Sequence, residues 1–257
     1  MAQLKLEKRG HTALITMSNP PANTWTRDTL TQLRDAVKSL DQDKNIYALV
    51  ITGEGDKFFS AGADLKLFAD GDKAIASDMA RIFGEAFETL SAFSGVSIAA
   101  INGYAMGGGL EVALACDIRI AEQQAQMALP EAKVGLLPCA GGTQNLAWLV
   151  GEGWAKRMIL CGERLGAEKA LQIGLVEEVV ATGMALESAL ALADKVAEQS
   201  PSSVTACKKL IQQGRSGTMQ SALPLERELF VGLFDTKDQV EGVQAFLDKR
   251  KANWVNG

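Results

Sequence analysis

The chain has 257 residues, of which 47% are hydrophobic and 22% charged, an ordinary globular composition with room for a sizeable core. Its formal net charge of −5 argues against a general nucleic-acid surface, so an anionic ligand would have to be met by local basic residues or helix N-termini. No run reaches membrane-spanning length, and Met1-Ala2-Gln3-Leu4-Lys5 lacks an apolar signal core; the expectation is a cytoplasmic protein that binds neither membrane nor nucleic acid.

Taken in order, Leu4–Lys8 alternates as a half-buried strand would, Gly10-His11 turns, and Ala13–Met17 completes a hairpin. The lone His11 reads as a surface turn residue. After the loop Ser18–Asn23, the spacing of Leu30, Leu33, Val37 and Leu40 predicts a helix over 26–40. A buried strand over 46–52 runs into Gly53-Glu54-Gly55-Asp56 and the small-residue stretch Ser60-Ala61-Gly62-Ala63-Asp64. A long helix over 73–93 follows, then a strand at Ser97–Ile101 that ends in Asn102-Gly103-Tyr104-Ala105-Met106-Gly107-Gly108-Gly109-Leu110-Glu111.

Three consecutive glycines suit a place where something approaches the main chain closely, and they open a predicted helix whose first N–H groups lack partners. Glu111 brings a carboxylate to the same turn. The pattern is neither G-x-G-x-x-G nor a phosphate-binding loop. Asp117–Ala121 is a strand, Pro130-Glu131 reads as a helix start with proline at its first position, and Gly135–Thr143 is a glycine-rich turn before a helix over 144–150. After a short strand at 176–180, four helices are expected over 185–199, 201–213, 220–234 and 237–250. Leu223, Leu225, Leu229, Phe230, Val231, Leu233 and Phe234 occupy more than one helical face, which suggests a subunit interface. Cys116, Cys139, Cys161 and Cys207 lie far apart and read as reduced core or near-core thiols, with no metal site implied.

Two donor-rich turns, Ser60–Asp64 and Gly107–Gly109, and two carboxylates, Glu111 and Glu131, stand out, since a backbone donor beside a carboxylate can polarise a carbonyl and move a proton. In this order, together with Cys116–Ala121, Gly135–Gln144 and Asp238–Arg250, they resemble the enoyl-CoA hydratase/isomerase (crotonase) superfamily over nearly the whole chain. The resemblance implies an α/β fold of ββα units wound into a spiral over 1–183. The helical region 184–257 would form a trimer or hexamer, the two folding as one cooperative unit.

The resemblance also implies an oxyanion hole from the N–H groups of Ala61 and Gly108, and catalysis by Glu111 and Glu131. Substrate and CoA contacts would come from Ala63, Asp64 and Leu65, with Phe246 and Lys249 reaching a neighbouring subunit's CoA. The implied substrate is an acyl-CoA thioester and no separate cofactor is expected. With both glutamates present the expected reaction is hydration of a trans-2-enoyl-CoA to a 3-hydroxyacyl-CoA in fatty-acid or related acyl-CoA degradation. The alternatives are a one-glutamate Δ3,Δ2-enoyl-CoA isomerase and a non-catalytic acyl-CoA- or RNA-binding relative. Leu67, Phe68, Met79, Phe83 and the loop Asp70-Gly71-Asp72 are candidates for the acyl pocket. Two positions depart from the family pattern: Trp25 is large for its segment, and Cys139 stands where a smaller residue is usual.

Overall fold

Backbone pairing between distant strands organises the molecule into two sheets; the computed structural model describes residues 3–257, apart from the side chain of Ser216. Met1 and Ala2, the start of the expected core and of the N-terminal segment read for targeting, lie outside them. The hairpin is β1 (Gln3–Arg9) and β2 (Thr12–Ser18). The next helix, α1 (Arg27–Asp41), starts at Thr26, whose hydroxyl caps Thr29 N while the Thr29 hydroxyl accepts from Thr26 N. Leu30, Leu33, Val37 and Leu40 are its buried face, as their spacing predicts.

The winding then repeats. β3 (Ala48–Gly53), β5 (Val96–Ile101) and β7 (Ile118–Glu122) join the first sheet, and the three-residue strands β4 (Phe58–Ser60), β6 (Tyr104–Met106) and β8 (Gln126–Ala128) join a second. Helices α2 (Lys73–Ser91), α3 (Gly108–Ala115) and α4 (Gly142–Leu160) close successive turns. β9 (Leu165–Gly166), α5 (Ala167–Gln172) and β10 (Glu178–Val180) complete the sheets, in the orders β1-β2-β3-β5-β7-β10 and β4-β6-β8-β9. β3, β5 and β7 pair in parallel and are covered on both faces, which explains why β3 and β5 read as largely apolar runs. On one face Leu49, Ile51, Ala99 and Ile101 meet α1 and α2 in the main core. On the other, Ala48, Val50, Ile98, Ala100 and Ile120 meet Ala185, Ala189 and Ala193 of α6 (Ala185–Ala197).

The remaining helices are α7 (Pro201–Ser216), α8 (Met219–Gly232) and α9 (Lys237–Leu247). Lys208 of α7 reaches the core, donating to Phe93 O, Gly95 O and Asp117 Oδ2 at 2.6, 3.0 and 2.7 Å. Buried Asp238 of α9 accepts from Val255 N, Asn256 N and Ser202 Oγ, tying the chain's last residues to α7. α8 buries none of its side chains within the chain, and Phe230, Val231 and Phe234 are exposed. Among the described residues no helix is long and apolar enough to cross a membrane.

Several expectations need correction. β1 is an exposed edge strand, with Leu6 facing solvent, because it pairs on one side only. Only Cys116 is buried; Cys139, Cys161 and Cys207 are exposed. Proline at 130 opens a single 3-10 turn, Glu131–Val134, closed by left-handed Gly135. The helix expected over 144–150 continues as α4 to Leu160, with Gly151 in a non-helical conformation where the predicted helix ends. α9 stops at Leu247 because Arg250 N turns back to Ala245 O around a left-handed Lys249. The strands β4, β6, β8 and β9 and helix α5 went unpredicted.

Candidate active site

The parallel pairing of β4 with β6 brings the two glycine-bearing turns against each other. Ser60 O lies where a side chain on Gly109 would stand, 2.1 Å from the position of its Cβ, and a Cβ on Gly62 would lie 3.0 Å from Gly108 N and 2.6 Å from Met106 O. Glycine at these positions is therefore what lets the Ser60–Asp64 loop touch the start of α3. Gly62 and Gly107 also take positive φ, at 87° and 54°.

The donors differ from the sequence expectation. Ala61 N donates to Ala22 O at 2.9 Å, so it is spent within the fold and Ala61 is corrected as an oxyanion donor. Ala63 N and Gly108 N have no acceptor among the described residues. The Gly108 N–H is left free because it belongs to the first turn of α3, where no preceding turn supplies a carbonyl. Ala63 pairs with Trp25 in an isolated parallel bridge whose bonds run through Gly62 O and Asp64 N, leaving the Ala63 N–H out of the ladder.

Glu111 sits in the first turn of α3, which is buried along its whole length, and is itself 2% exposed. Its Oε1 accepts from Ala140 N at 2.8 Å and Gly142 N at 3.0 Å, at the N-terminus of α4. Burial raises its pKa, and these two N–H groups oppose the rise by stabilising the carboxylate. A methyl group on Gly142 would meet Glu111 Oε1 at 2.8 Å, so glycine is what admits the carboxylate there.

Glu131 comes from the turn after β8, and its Oε1 lies 3.1 Å from where a Cβ on Gly107 would stand, beside the start of α3. Its Oε2 is buried without a hydrogen-bond partner among the described residues. Desolvation foremost pushes its pKa up to about 7; its own backbone N–H opposes this, and the charge of Glu111 adds a lesser upward push. One carboxyl is thus held by two donors, and the other is poised to be neutral near pH 7. The Cys139 thiol feels both: although the residue is exposed, desolvation around its sulfur and then the charges of Glu111 and Glu131 push it up to about 11.

The other expected site residues distribute unevenly. Asp64 spends its carboxylate on Lys66 N, capping a 3-10 turn that starts at exposed Leu65. Met79 and Phe83 are core residues, Phe83 lying behind Gly108, whereas Leu67 and the Asp70–Asp72 loop face solvent. Phe246 is 83% exposed, and the backbone N–H of Lys249 bonds to Phe246 O and not to either turn. Sequence reasoning missed Ala140 and Gly142 as holders of Glu111, although the glycine-rich turn containing them was visible. Among the described residues no group of His, Cys, Asp and Glu is arranged to hold a metal ion.

Backbone donors beside one fixed and one protonatable carboxyl, carried on a ββα spiral, define a protein equipped to polarise a carbonyl and move protons next to it. The chain belongs to the enoyl-CoA hydratase/isomerase family, whose model matches residues 7–257. It is 40% identical over 251 residues to the 2,3-dehydroadipyl-CoA hydratase of Escherichia coli K12, covering 97% of each chain. Among solved structures it resembles Pseudomonas aeruginosa DspI, with 68% identity, a TM-score of 0.96 and coverage of 98% of this chain and 96% of that one. The enoyl-CoA hydratase of Bacillus anthracis matches at 34% identity and a TM-score of 0.95 over 99% of each chain. The crotonase fold expected from the resemblance is the one observed.

Proposed function

We propose that this protein is an enoyl-CoA hydratase that adds water to a trans-2-enoyl-CoA to give a 3-hydroxyacyl-CoA in acyl-CoA degradation. The observation that carries this reading is the unequal pair of carboxyls, Glu111 held by two backbone N–H groups and Glu131 raised to about 7, beside the free N–H groups of Ala63 and Gly108. The names of several relatives support it, including a short-chain-enoyl-CoA hydratase at 36% identity and a crotonyl-CoA hydratase at 36%.

In this scheme the thioester oxygen accepts from Ala63 N and Gly108 N. Water attacks C3 and gives a proton to Glu111. The π electrons of the C2–C3 bond move toward the thioester oxygen, which becomes enolate-like and is stabilised where its charge develops. A donor of this kind is worth about 2.7–4 kcal/mol. Neutral Glu131 then gives its proton to C2, and the electron pair returns from oxygen to form the new C–H bond. Passage of the proton from Glu111 to Glu131 through solvent resets the pair. The conjugated thioester carries the electrons itself, so coenzyme A enters as part of the substrate and the scheme requires no resident cofactor.

The unburied apolar face of α8, with exposed Phe246, supports a homo-oligomer built from trimers in which α9 of one copy approaches the CoA bound by another. The four free cysteines support a reducing, cytoplasmic location. The test is loss of the conjugated absorbance of crotonyl-CoA on adding purified protein, with 3-hydroxybutyryl-CoA identified as product. An unchanged spectrum with crotonyl-CoA and longer enoyl-CoA thioesters would overturn the assignment.

A further inference from the structure

Trp25 touches both halves of the donor pair. Its main chain holds the first half: Trp25 N donates to Gly62 O at 2.8 Å and Asp64 N to Trp25 O at 3.5 Å, so Ala63 is clasped from both sides. Neighbouring residues extend the clasp, with Ala61 N donating to Ala22 O at 2.9 Å and Ser60 Oγ to Asn23 O at 2.7 Å. Its ring reaches the second half: Cδ1 lies 3.6 Å from where a Cβ on Gly108 would stand, and Phe83 Cε1 lies 3.0 Å from the same point. Phe87 locks the ring from behind, edge-on at 5.5 Å, and itself packs at 86° against Phe83, 5.6 Å away.

The indole is 1% exposed, and its Nε1 is buried with no hydrogen-bond partner among the described residues. A buried donor left without a partner is unfavourable, so a tryptophan here is not explained by its hydrogen bond. An indole N–H sealed in this way also cannot serve as a third donor to a ligand. What remains is the shape of the ring and where it stands, between the clasped loop and the start of α3.

We infer that Trp25 is a positioning residue for the reaction proposed above, setting the separation of the Ala63 and Gly108 N–H groups by holding one with its backbone and backing the other with its ring. Deletion of one oxyanion donor costs about 10²–10³ in kcat, and a misplacement of ~1 Å can cost ~10²-fold. A smaller side chain at 25 leaves both donors present but lets their spacing relax. The loss should therefore fall on kcat, while binding of the CoA portion is retained.

The experiment compares the wild type with Trp25→Phe and Trp25→Leu in two measurements. One is the kinetics of crotonyl-CoA hydration; the other is the red shift of a dimethylaminocinnamoyl-CoA thioester, whose absorbance reports polarisation of its carbonyl. The expected order is wild type, Trp25→Phe, Trp25→Leu in both. Trp25→Phe should lose about threefold in kcat, and Trp25→Leu roughly 10- to 100-fold with KM within about threefold and a clearly smaller red shift. If Trp25→Leu does not fold, the Trp25→Phe comparison stands alone, and a wild-type kcat with a wild-type red shift in that variant overturns the inference. A raised KM with unchanged kcat and red shift overturns it as well. A wild type that neither hydrates crotonyl-CoA nor shifts the probe would instead overturn the functional reading beneath it.

Discussion

Replacing Glu131 with glutamine separates what that carboxyl does for the reaction from what it costs the fold. Its pKa moves from 4.5 to about 7 on folding, so the folded protein holds the proton more tightly than the unfolded chain does. The contribution of Glu131 to stability is then greatest below pH ~4.5, falls as pH rises toward ~7, and levels off above it. A rise from 4.5 to about 7 corresponds to ~3.4 kcal/mol for a fully buried group. Because the side chain is only part-buried and partly screened by solvent, about 1–3 kcal/mol is the expected penalty at pH 8.

Glutamine keeps the shape and carries no charge, so Glu131→Gln should gain about 1–3 kcal/mol over the wild type between pH 4.5 and pH 8, while losing roughly 10²–10⁴ in hydration. Urea unfolding of both proteins at the two pH values, followed by fluorescence at fixed protein concentration, measures the difference. A stability difference that is the same at both pH values would refute the argument, because Glu131 would then titrate alike in the folded and unfolded states. In the wild type, kcat/KM should decline on the alkaline side with an apparent pKa near 7, since the proton donor is the neutral form. A flat profile to pH 9 would count against Glu131 in that role.

Glu111→Gln should also cost roughly 10²–10⁴ in hydration, and the double variant with Glu131→Gln should fall far short of the product of the single losses, because the pair acts as a unit. A fully multiplicative loss would mean independent roles. Gly142→Ala places a methyl group 2.8 Å from Glu111 Oε1, so at least one of the two bonds from the start of α4 must lengthen. The expectation is a loss of about 10-fold or more in kcat, and wild-type activity in that variant would show that the bonds to Ala140 N and Gly142 N do not matter. Sedimentation should find trimers or hexamers, and a stable monomer at micromolar concentration would remove the role given to α8.

Much of the fold could be read from local pattern, because the relevant forces act over one turn or one strand. The helical spacing of Leu30, Leu33, Val37 and Leu40, the apolar runs of β3 and β5, and the glycine turns are of this kind. The choice of Glu111 and Glu131 rested on the family resemblance that these turns carry in the linear chain, each glutamate being a weak signal when taken singly. The second sheet could not be read so, since β4, β6 and β8 are each three residues long and show no period; they exist through pairing with one another. Only tertiary contacts decided which N–H is free: Ala61 and Ala63 are two residues apart in the same loop, and it is Ala22 O, from the loop before α1, that takes the first and leaves the second. They also decided that Glu131 holds its proton more tightly than an ordinary carboxyl does. A proline and a helix start favour charge at Glu131, but burial without a partner for Oε2, close to the charge of Glu111, outweighs that local preference.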